Sequence, residues 1–164
     1  MPGTYRGTLW YQKQHNWSQV QPLADEYNPQ RYLDAQNQVY DAVLGELRVG
    51  RKSGHWIWFV FPQITGLGHS ETAQKFALTS LEEAKAYLQH RILGPRLREC
   101  TQLVLNVDGH GAERIFGYPD NLKFRSCLTL FMAATTDNKV FNDALLKYFE
   151  GKPDTVTLDI LAHQ

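Results

Sequence analysis

The amino-acid sequence predicts an all-α protein, a mainly helical single globular domain that leaves room for minor short strands. Most segments after residue 28 carry apolar side chains at the three- and four-residue spacing of a helix. Residues that favour helix starts and stops stand at the ends of those segments. A length of 164 residues suits one domain with a substantial core. We therefore expect a helical domain over residues 29–164 and an N-terminal arm or extension over residues 1–28.

The N-terminal arm is polar and carries scattered aromatic residues, among them Trp10 and Trp17. No helical or strand period runs through residues 1–27, although residues 8–11 allow a short strand. The simplest interpretation is an arm whose aromatic side chains cover an apolar patch on the domain. A functional lid is the alternative.

The first helix is predicted over residues 29–49. Asn28 is a favourable N-cap, Pro29 suits the first helical position, and Gly50 follows as the stop. The face that repeats with the helical period consists of Tyr32, Gln36, Val39, Val43 and Leu47.

The aromatic run Trp56–Phe61 is the longest apolar stretch of the chain, and its residues alone leave its structure open. Its aromatic and β-branched content favours a buried strand. A short buried helix capped by Ser53 fits equally well, because periodicity cannot separate the two over so few residues. Pro62 ends either element, since proline disfavours helical geometry in the residue before it.

Further helices follow, and residues that favour a helix start mark where they begin. The predicted starts are Ser70, Ser80 with Glu83 in a capping box, Gly94–Pro95, Asp120, Asp137 and Asp154. The helix after Ser70 is expected to end near Leu78, and a helical turn over residues 112–116 to end at Gly117. Residues 121–135 leave little polar surface, so this helix is predicted to be central and to bury Phe131. A strand over residues 126–132 is its weaker alternative.

Composition excludes several classes of protein. Seventeen basic and seventeen acidic residues balance, which argues against broad nucleic-acid binding because such binding needs a basic surface. No apolar run reaches the length of a membrane span, so no membrane association is expected. The N-terminus lacks the apolar core of a secretory signal, and we expect a cytoplasmic protein in which Cys100 and Cys127 are buried, reduced thiols.

A set of motifs between Gln30 and the C-terminus resembles a known family. The motifs include Gly50-Arg51-Lys52, the block His55-Trp56-Ile57-Trp58-Phe59-Val60-Phe61-Pro62-Gln63, Gly66-Leu67-Gly68-His69-Ser70, Leu93-Gly94-Pro95-Arg96-Leu97, Ile115-Phe116-Gly117 and Ser126 through Phe131. The family is the domain of unknown function number eighteen-ten, whose members are small, mostly bacterial proteins that often carry the name calpastatin. The block from His55 to Gln63 is very specific to this family.

The resemblance implies a compact, mainly helical single domain, and it favours the helix for the run Trp56–Phe61. It implies no established biochemical activity. The name calpastatin has no physical support here, because a calpain inhibitor of that kind is disordered and poor in aromatic residues, and this chain is neither.

The block and the loop after it supply the candidate ligand-binding residues, which are Lys52, His55, Trp56, Trp58, Gln63, His69 and Ser70. A pocket built from them would offer aromatic rings for stacking, imidazoles for proton transfer near neutral pH, and an amide. Ser70 at a helix start adds N–H groups that favour an anion, and Arg51 or Lys52 adds positive charge. These groups suit a nucleotide-like ligand or an ADP-ribose derivative.

The alternative function is a non-catalytic protein-interaction module in which the aromatic block is structural core. In that case His55 and Gln63 satisfy buried backbone groups. The sequence identifies no catalytic residue and does not decide between an enzyme and a binding protein.

Lys123 and Arg125 lie near the start of the predicted helix 121–135, where a cation opposes the helix dipole. We therefore expect an anionic partner for them, either a carboxylate of the chain or a bound phosphate. No metal site and no cofactor are predicted, because the His and Cys spacings match no zinc pattern.

Overall fold

The computed structural model describes residues 26–164, and this part of the chain is all-α, as predicted. Its helices are α1 (Gln30–Val49), α2 (Ile57–Val60), α3 (Glu71–Phe76), α4 (Leu81–Gln89), α5 (Leu93–Leu105), α6 (Ala112–Phe116), α7 (Asp120–Ala134), α8 (Lys139–Phe149) and α9 (Thr155–Ala162). No sheet forms within residues 26–164, where a single parallel bridge pairs Ile64 with Leu78. The expectations for Trp10 and Trp17 lie outside the described residues.

Helix α7 is the centre of the fold, as its apolar sequence predicts. It packs against α2, α4, α6, α8 and α9. Phe124, Cys127, Leu128, Leu130 and Phe131 are fully buried along it. The helical prediction for this segment is therefore confirmed, and the strand alternative for residues 126–132 is wrong.

Three predicted helix starts have the expected capping geometry. Ser70 Oγ accepts a hydrogen bond from the Ala73 N–H at 3.1 Å. Asp154 accepts one from the Thr157 N–H, also at 3.1 Å. Ser80 also caps its helix, but only half of the predicted capping box with Glu83 forms.

Ser80 Oγ accepts a hydrogen bond from the Glu83 N–H at 3.1 Å, as predicted. The Glu83 carboxylate does not return to the Ser80 N–H. It accepts hydrogen bonds from the N–H and hydroxyl of Thr79, and its second oxygen pairs with Arg31 at 3.0 Å. Glu83 thereby joins the start of α4 to α1.

The predicted caps Asn28, Asp120 and Asp137 are wrong. Asn28 has a positive φ of 52° and makes no cap, so α1 begins one residue later than predicted, at Gln30. Asp120 lies within the first turn of α7, and its carboxylate binds lysines instead of the helix N–H groups. The residue before α8 is Asn138, whose amide donates to the carbonyls of Met132 in α7 and of Thr135.

The helix after Ser70 ends at Phe76, before the predicted end near Leu78. The reason is tertiary: the Leu78 N–H donates to the Gln63 carbonyl, and the Leu78 carbonyl accepts from the Thr65 N–H, both at 2.8 Å. Leu78 therefore pairs with the loop after α2 and cannot continue the helix.

The aromatic run forms the short helix α2 followed by an irregular turn. Trp56, rather than Ser53, stands at its N-cap position. The Ser53 N–H instead donates to the side chain of Glu46. The helix implied by the family resemblance is thus confirmed, and the proposed cap is wrong.

Within residues 26–164, no helix combines the length and apolar character needed to cross a membrane. Cys100 and Cys127 are both buried free thiols, as expected from the sequence.

Candidate functional site

The loop between α1 and α2 is held in place by one carboxylate. Glu46 Oε1 accepts hydrogen bonds from the N–H groups of Ser53 and Gly54 and from the indole N–H of Trp56. Burial would raise the pKa of Glu46, but these three donors outweigh it and lower the pKa below its ordinary value. Glu46 is therefore ionised at neutral pH and fixes the start of the aromatic block.

Lys52 belongs to this loop, and its side chain is only 6% exposed. Its ammonium lies 2.8 Å from Asp120 Oδ2 and donates a hydrogen bond to the Gly54 carbonyl. It also lies 5.2 Å from the centre of the Trp56 ring. A nearly buried cation needs such partners, because loss of hydration is costly unless charge and hydrogen bonds replace it.

Asp120 joins Lys52 to a second lysine. Its other oxygen, Oδ1, lies 3.1 Å from Nζ of Lys123. Partial burial would raise the pKa of Asp120, but the hydrogen bonds and charges of the two lysines outweigh that effect and lower it. The expectation of a carboxylate partner for Lys123 is confirmed, whereas Arg125 donates to the Lys152 carbonyl.

A cleft opens where Lys123 approaches the aromatic block. Its Nζ lies 4.9 Å from the centre of the Trp58 ring, a cation–π arrangement. The cleft has a volume of about 90 Å³. Its lining is mostly apolar and consists of Trp58, Gln63, Ile64, Leu67, Gly68, Ala73, Phe76, Ala77 and Lys123.

Backbone contacts give the cleft its shape. The pairing of Gln63 and Thr65 with Leu78 holds the loop after α2 against the end of α3. Gly68 permits a close approach at the other end of the loop, because a Cβ atom at this position would lie 2.6 Å from the Ala73 Cβ. A side chain at residue 68 would therefore displace the loop from α3.

The fold does not bring the seven predicted site residues together in one pocket. Trp58 and Gln63 line the cleft. Trp56 is buried in the core, and the Lys52 side chain is nearly buried; neither lines the cleft, and Lys52 is connected to the cleft residue Lys123 through Asp120. His55, His69 and Ser70 are exposed, and none of them belongs to the cleft lining.

The remaining contacts of these residues are local. Ser70 Oγ caps α3. The backbone carbonyl of His69 accepts a hydrogen bond from the Gln74 amide at 3.0 Å. Among residues 26–164, no group of three or more His, Cys, Asp or Glu side chains is arranged to hold a metal ion.

The comparisons with known proteins place the chain in a family. The family described as "Protein of unknown function (DUF1810)" matches residues 26–161, which include every residue of the cleft. The chain belongs to the DUF1810 family. No curated protein matches it.

A solved structure is similar over most of this DUF1810 domain. It is the crystal structure of the conserved hypothetical protein Rv1873 from Mycobacterium tuberculosis. The two chains are 52% identical, with a TM-score of 0.83, and the similarity covers 84% of this chain and 98% of the other. The helical fold is thus shared with an experimentally solved protein.

Sequence reasoning missed the contributions of Asp120, Phe76 and Leu67 to this region. The three-residue spacing of Asp120 and Lys123 was a usable signal, because residues three apart on a helix are neighbours. No sequence pattern links Phe76 or Leu67 to Trp58, since tertiary contacts such as the pairing of the loop with Leu78 bring them to the same cleft.

Proposed function

We propose that this DUF1810 protein binds a nucleotide-like ligand, a planar ring joined to an anionic group, in the cleft between Trp58 and Lys123. The observation that carries the proposal is the position of the Lys123 ammonium, 4.9 Å from the centre of the Trp58 ring at an open cleft. An aromatic surface and a cation at one opening are the two groups that such a ligand requires.

The composition of the cleft supports binding of a ring. Ile64, Leu67 and Phe76 form apolar walls around Trp58. Small-molecule sites are typically apolar with a few polar groups that fix orientation. Gln63 and Lys123 provide polar groups of that kind, an amide and an ammonium.

The size of the cleft limits what enters it. Sites for drug-sized ligands have volumes of roughly 300–1,000 Å³, whereas this cleft has about 90 Å³. One ring or one small group therefore enters, and the remainder of a larger ligand, such as an ADP-ribose derivative, lies along the outer surface.

The proposal is tested by thermal unfolding with a panel of AMP, ADP-ribose and NAD. A ligand that binds only the folded state raises the melting temperature with increasing concentration. Lys123→Gln should abolish the increase, since it removes the cation. Trp58→Leu should do the same, because it removes the ring surface.

Lys139→Gln is the matched control, because Lys139 is also a helical lysine paired with an aspartate, Asp143, but is 84% exposed and does not line the cleft. This variant should respond to the panel like the unmodified protein. Equal responses of Lys123→Gln and Lys139→Gln would contradict the proposed site, and a panel without any response would contradict the proposed ligand class.

A second candidate function is the non-catalytic interaction module. The burial of Trp56 and Phe61 favours it, since much of the aromatic block is then structural core. It becomes the better explanation if no member of the panel binds.

A further inference from the structure

We infer that the group that enters the cleft is a single six-membered aromatic ring bearing one carboxylate, a monocyclic aromatic acid. This inference rests on the proposed function and specifies the part of the ligand that Trp58 and Lys123 bind. Three properties of the cleft lead to it: its volume, its net charge and the side-chain amide of Gln63, which has no hydrogen-bond partner among residues 26–164.

The volume argues for one ring. An enclosed cavity of about 150 Å³ accepts benzene. The cleft of about 90 Å³ is smaller but open, so a single ring fits with one edge toward solvent.

The charge argues for one carboxylate. Lys123 is the ionised side chain in the lining. Its partner Asp120 is shared with Lys52, whose ammonium lies 2.8 Å away, so the three side chains together carry one positive charge. A carboxylate matches that charge, whereas a terminal phosphate carries roughly 1.5 to 2 negative charges at neutral pH and would bring excess negative charge toward Asp120.

Lys52 cannot supply the second positive charge that a terminal phosphate would need. Its side chain is 6% exposed, and its ammonium is held by Asp120 and the Gly54 carbonyl. Lys123 is different: its side chain is 27% exposed, and of its three N–H donors one meets Asp120. Lys123 therefore retains donors for a bound carboxylate.

Gln63 provides the remaining polar contact. The Gln63 backbone carbonyl accepts a hydrogen bond from the Leu78 N–H, and this contact fixes the backbone at the wall of the cleft. Its side-chain amide makes no hydrogen bond to another group within residues 26–164. An amide offers both a donor and an acceptor, so it can bind a ring nitrogen or a ring substituent of either type.

The test uses nicotinate, its neutral isostere nicotinamide, and AMP as probes. Binding is followed by titration in proton–nitrogen correlation NMR spectra, using the indole N–H of Trp58, which Trp58→Phe identifies by its loss. Nicotinate should bind about tenfold more tightly than nicotinamide, the difference expected for one charge-assisted hydrogen bond. AMP should bind more weakly than nicotinate.

Two variants examine the charge argument. Lys123→Gln should reduce the preference for nicotinate over nicotinamide to less than about threefold, while Lys139→Gln should leave it unchanged. Asp120→Asn raises the net charge of the three side chains from one to two. It should therefore improve the binding of AMP relative to nicotinate, and an unchanged ratio would overturn the charge argument.

The two proposals fail in distinguishable ways. If AMP or ADP-ribose binds in a manner that depends on Lys123 and nicotinate does not, the cleft is a nucleotide site and the monocyclic acid is the wrong class. If nicotinate and nicotinamide bind equally, the carboxylate is not recognised and the inference is again overturned. If none of these probes perturbs the Trp58 indole, both the inference and the proposed function fail.

Discussion

The Glu46 carboxylate accepts a 3.1 Å hydrogen bond from the Trp56 indole N–H, and this contact ties the end of α1 to the aromatic block. The same oxygen accepts the N–H groups of Ser53 and Gly54. The ionised Glu46 side chain thus accepts hydrogen bonds from three donors that would otherwise bind water. It thereby fixes the loop that contains Lys52, the partner of Asp120.

Glu46→Gln should therefore destabilise the protein by about 1–2 kcal/mol at neutral pH, because the charge-assisted hydrogen bonds become neutral ones. Denaturant unfolding measures this change. Asp41→Asn is a suitable control, since Asp41 lies exposed on the same helix, and it should change stability by less than about 0.5 kcal/mol. Equal effects of the two substitutions would contradict the role of Glu46.

Stability should also depend on acid pH through Glu46 and Asp120. The pKa of each carboxyl is lowered in the folded protein. Each therefore contributes stability that is fully present above its unfolded pKa of about 4 and is lost as the pH falls through the lower folded value. We expect the free energy of unfolding to decline below about pH 5 and Glu46→Gln to flatten that decline. An identical pH profile in the variant would show that Glu46 does not contribute.

Phe131→Ala should lower stability by roughly 3–5 kcal/mol, because Phe131 is fully buried in α7 and its truncation leaves a cavity at the centre of the fold. Leu146→Ala is the contrasting substitution, since Leu146 is 56% exposed on α8. It should cost less than about 1 kcal/mol. A loss below about 1 kcal/mol for Phe131→Ala would mean that α7 is not central.

Two helical glycines should respond to alanine in opposite directions. At Gly94 a Cβ atom would lie 2.0 Å from the Leu88 carbonyl oxygen, so Gly94→Ala forces α4 and α5 apart and should cost at least about 1–3 kcal/mol. At Gly45 nothing lies within 4 Å, and Gly45→Ala should stabilise α1 by up to about 1 kcal/mol. Thermal unfolding of the two variants measures both effects. Similar melting temperatures of the two variants would contradict the close packing of α4 and α5 at Gly94.

Gly68→Ala should weaken binding of nicotinate in the cleft, because the new methyl group would meet the Ala73 Cβ and displace the loop that forms one wall. Gly111→Ala is the control, since Gly111 has a negative φ and no atom within 4 Å of a Cβ. We expect the dissociation constant to rise for the first variant alone. A rise of the same size in both variants would show that the loop position does not matter.

The sequence by itself determined most of the helices and their relative burial. The stop at Gly50 and the caps at Ser70 and Asp154 depend on local geometry, so the residues predicted them. The central position of α7 follows from its apolar sequence, because a helix with little polar surface must be covered by others. The aromatic block likewise supplies both buried core, at Trp56 and Phe61, and two residues of the cleft lining, Trp58 and Gln63.

Only the tertiary structure decided which polar groups meet. Lys52 and Asp120 belong to distant segments, and no spacing rule connects them; they pair because Lys52 is nearly buried and needs a compensating charge. The block residues His55 and Gln63 lie on either side of α2, and the structure places Gln63 in the cleft lining and leaves His55 exposed. A site made from several helices depends on how those helices pack, and that information is distributed over the whole core.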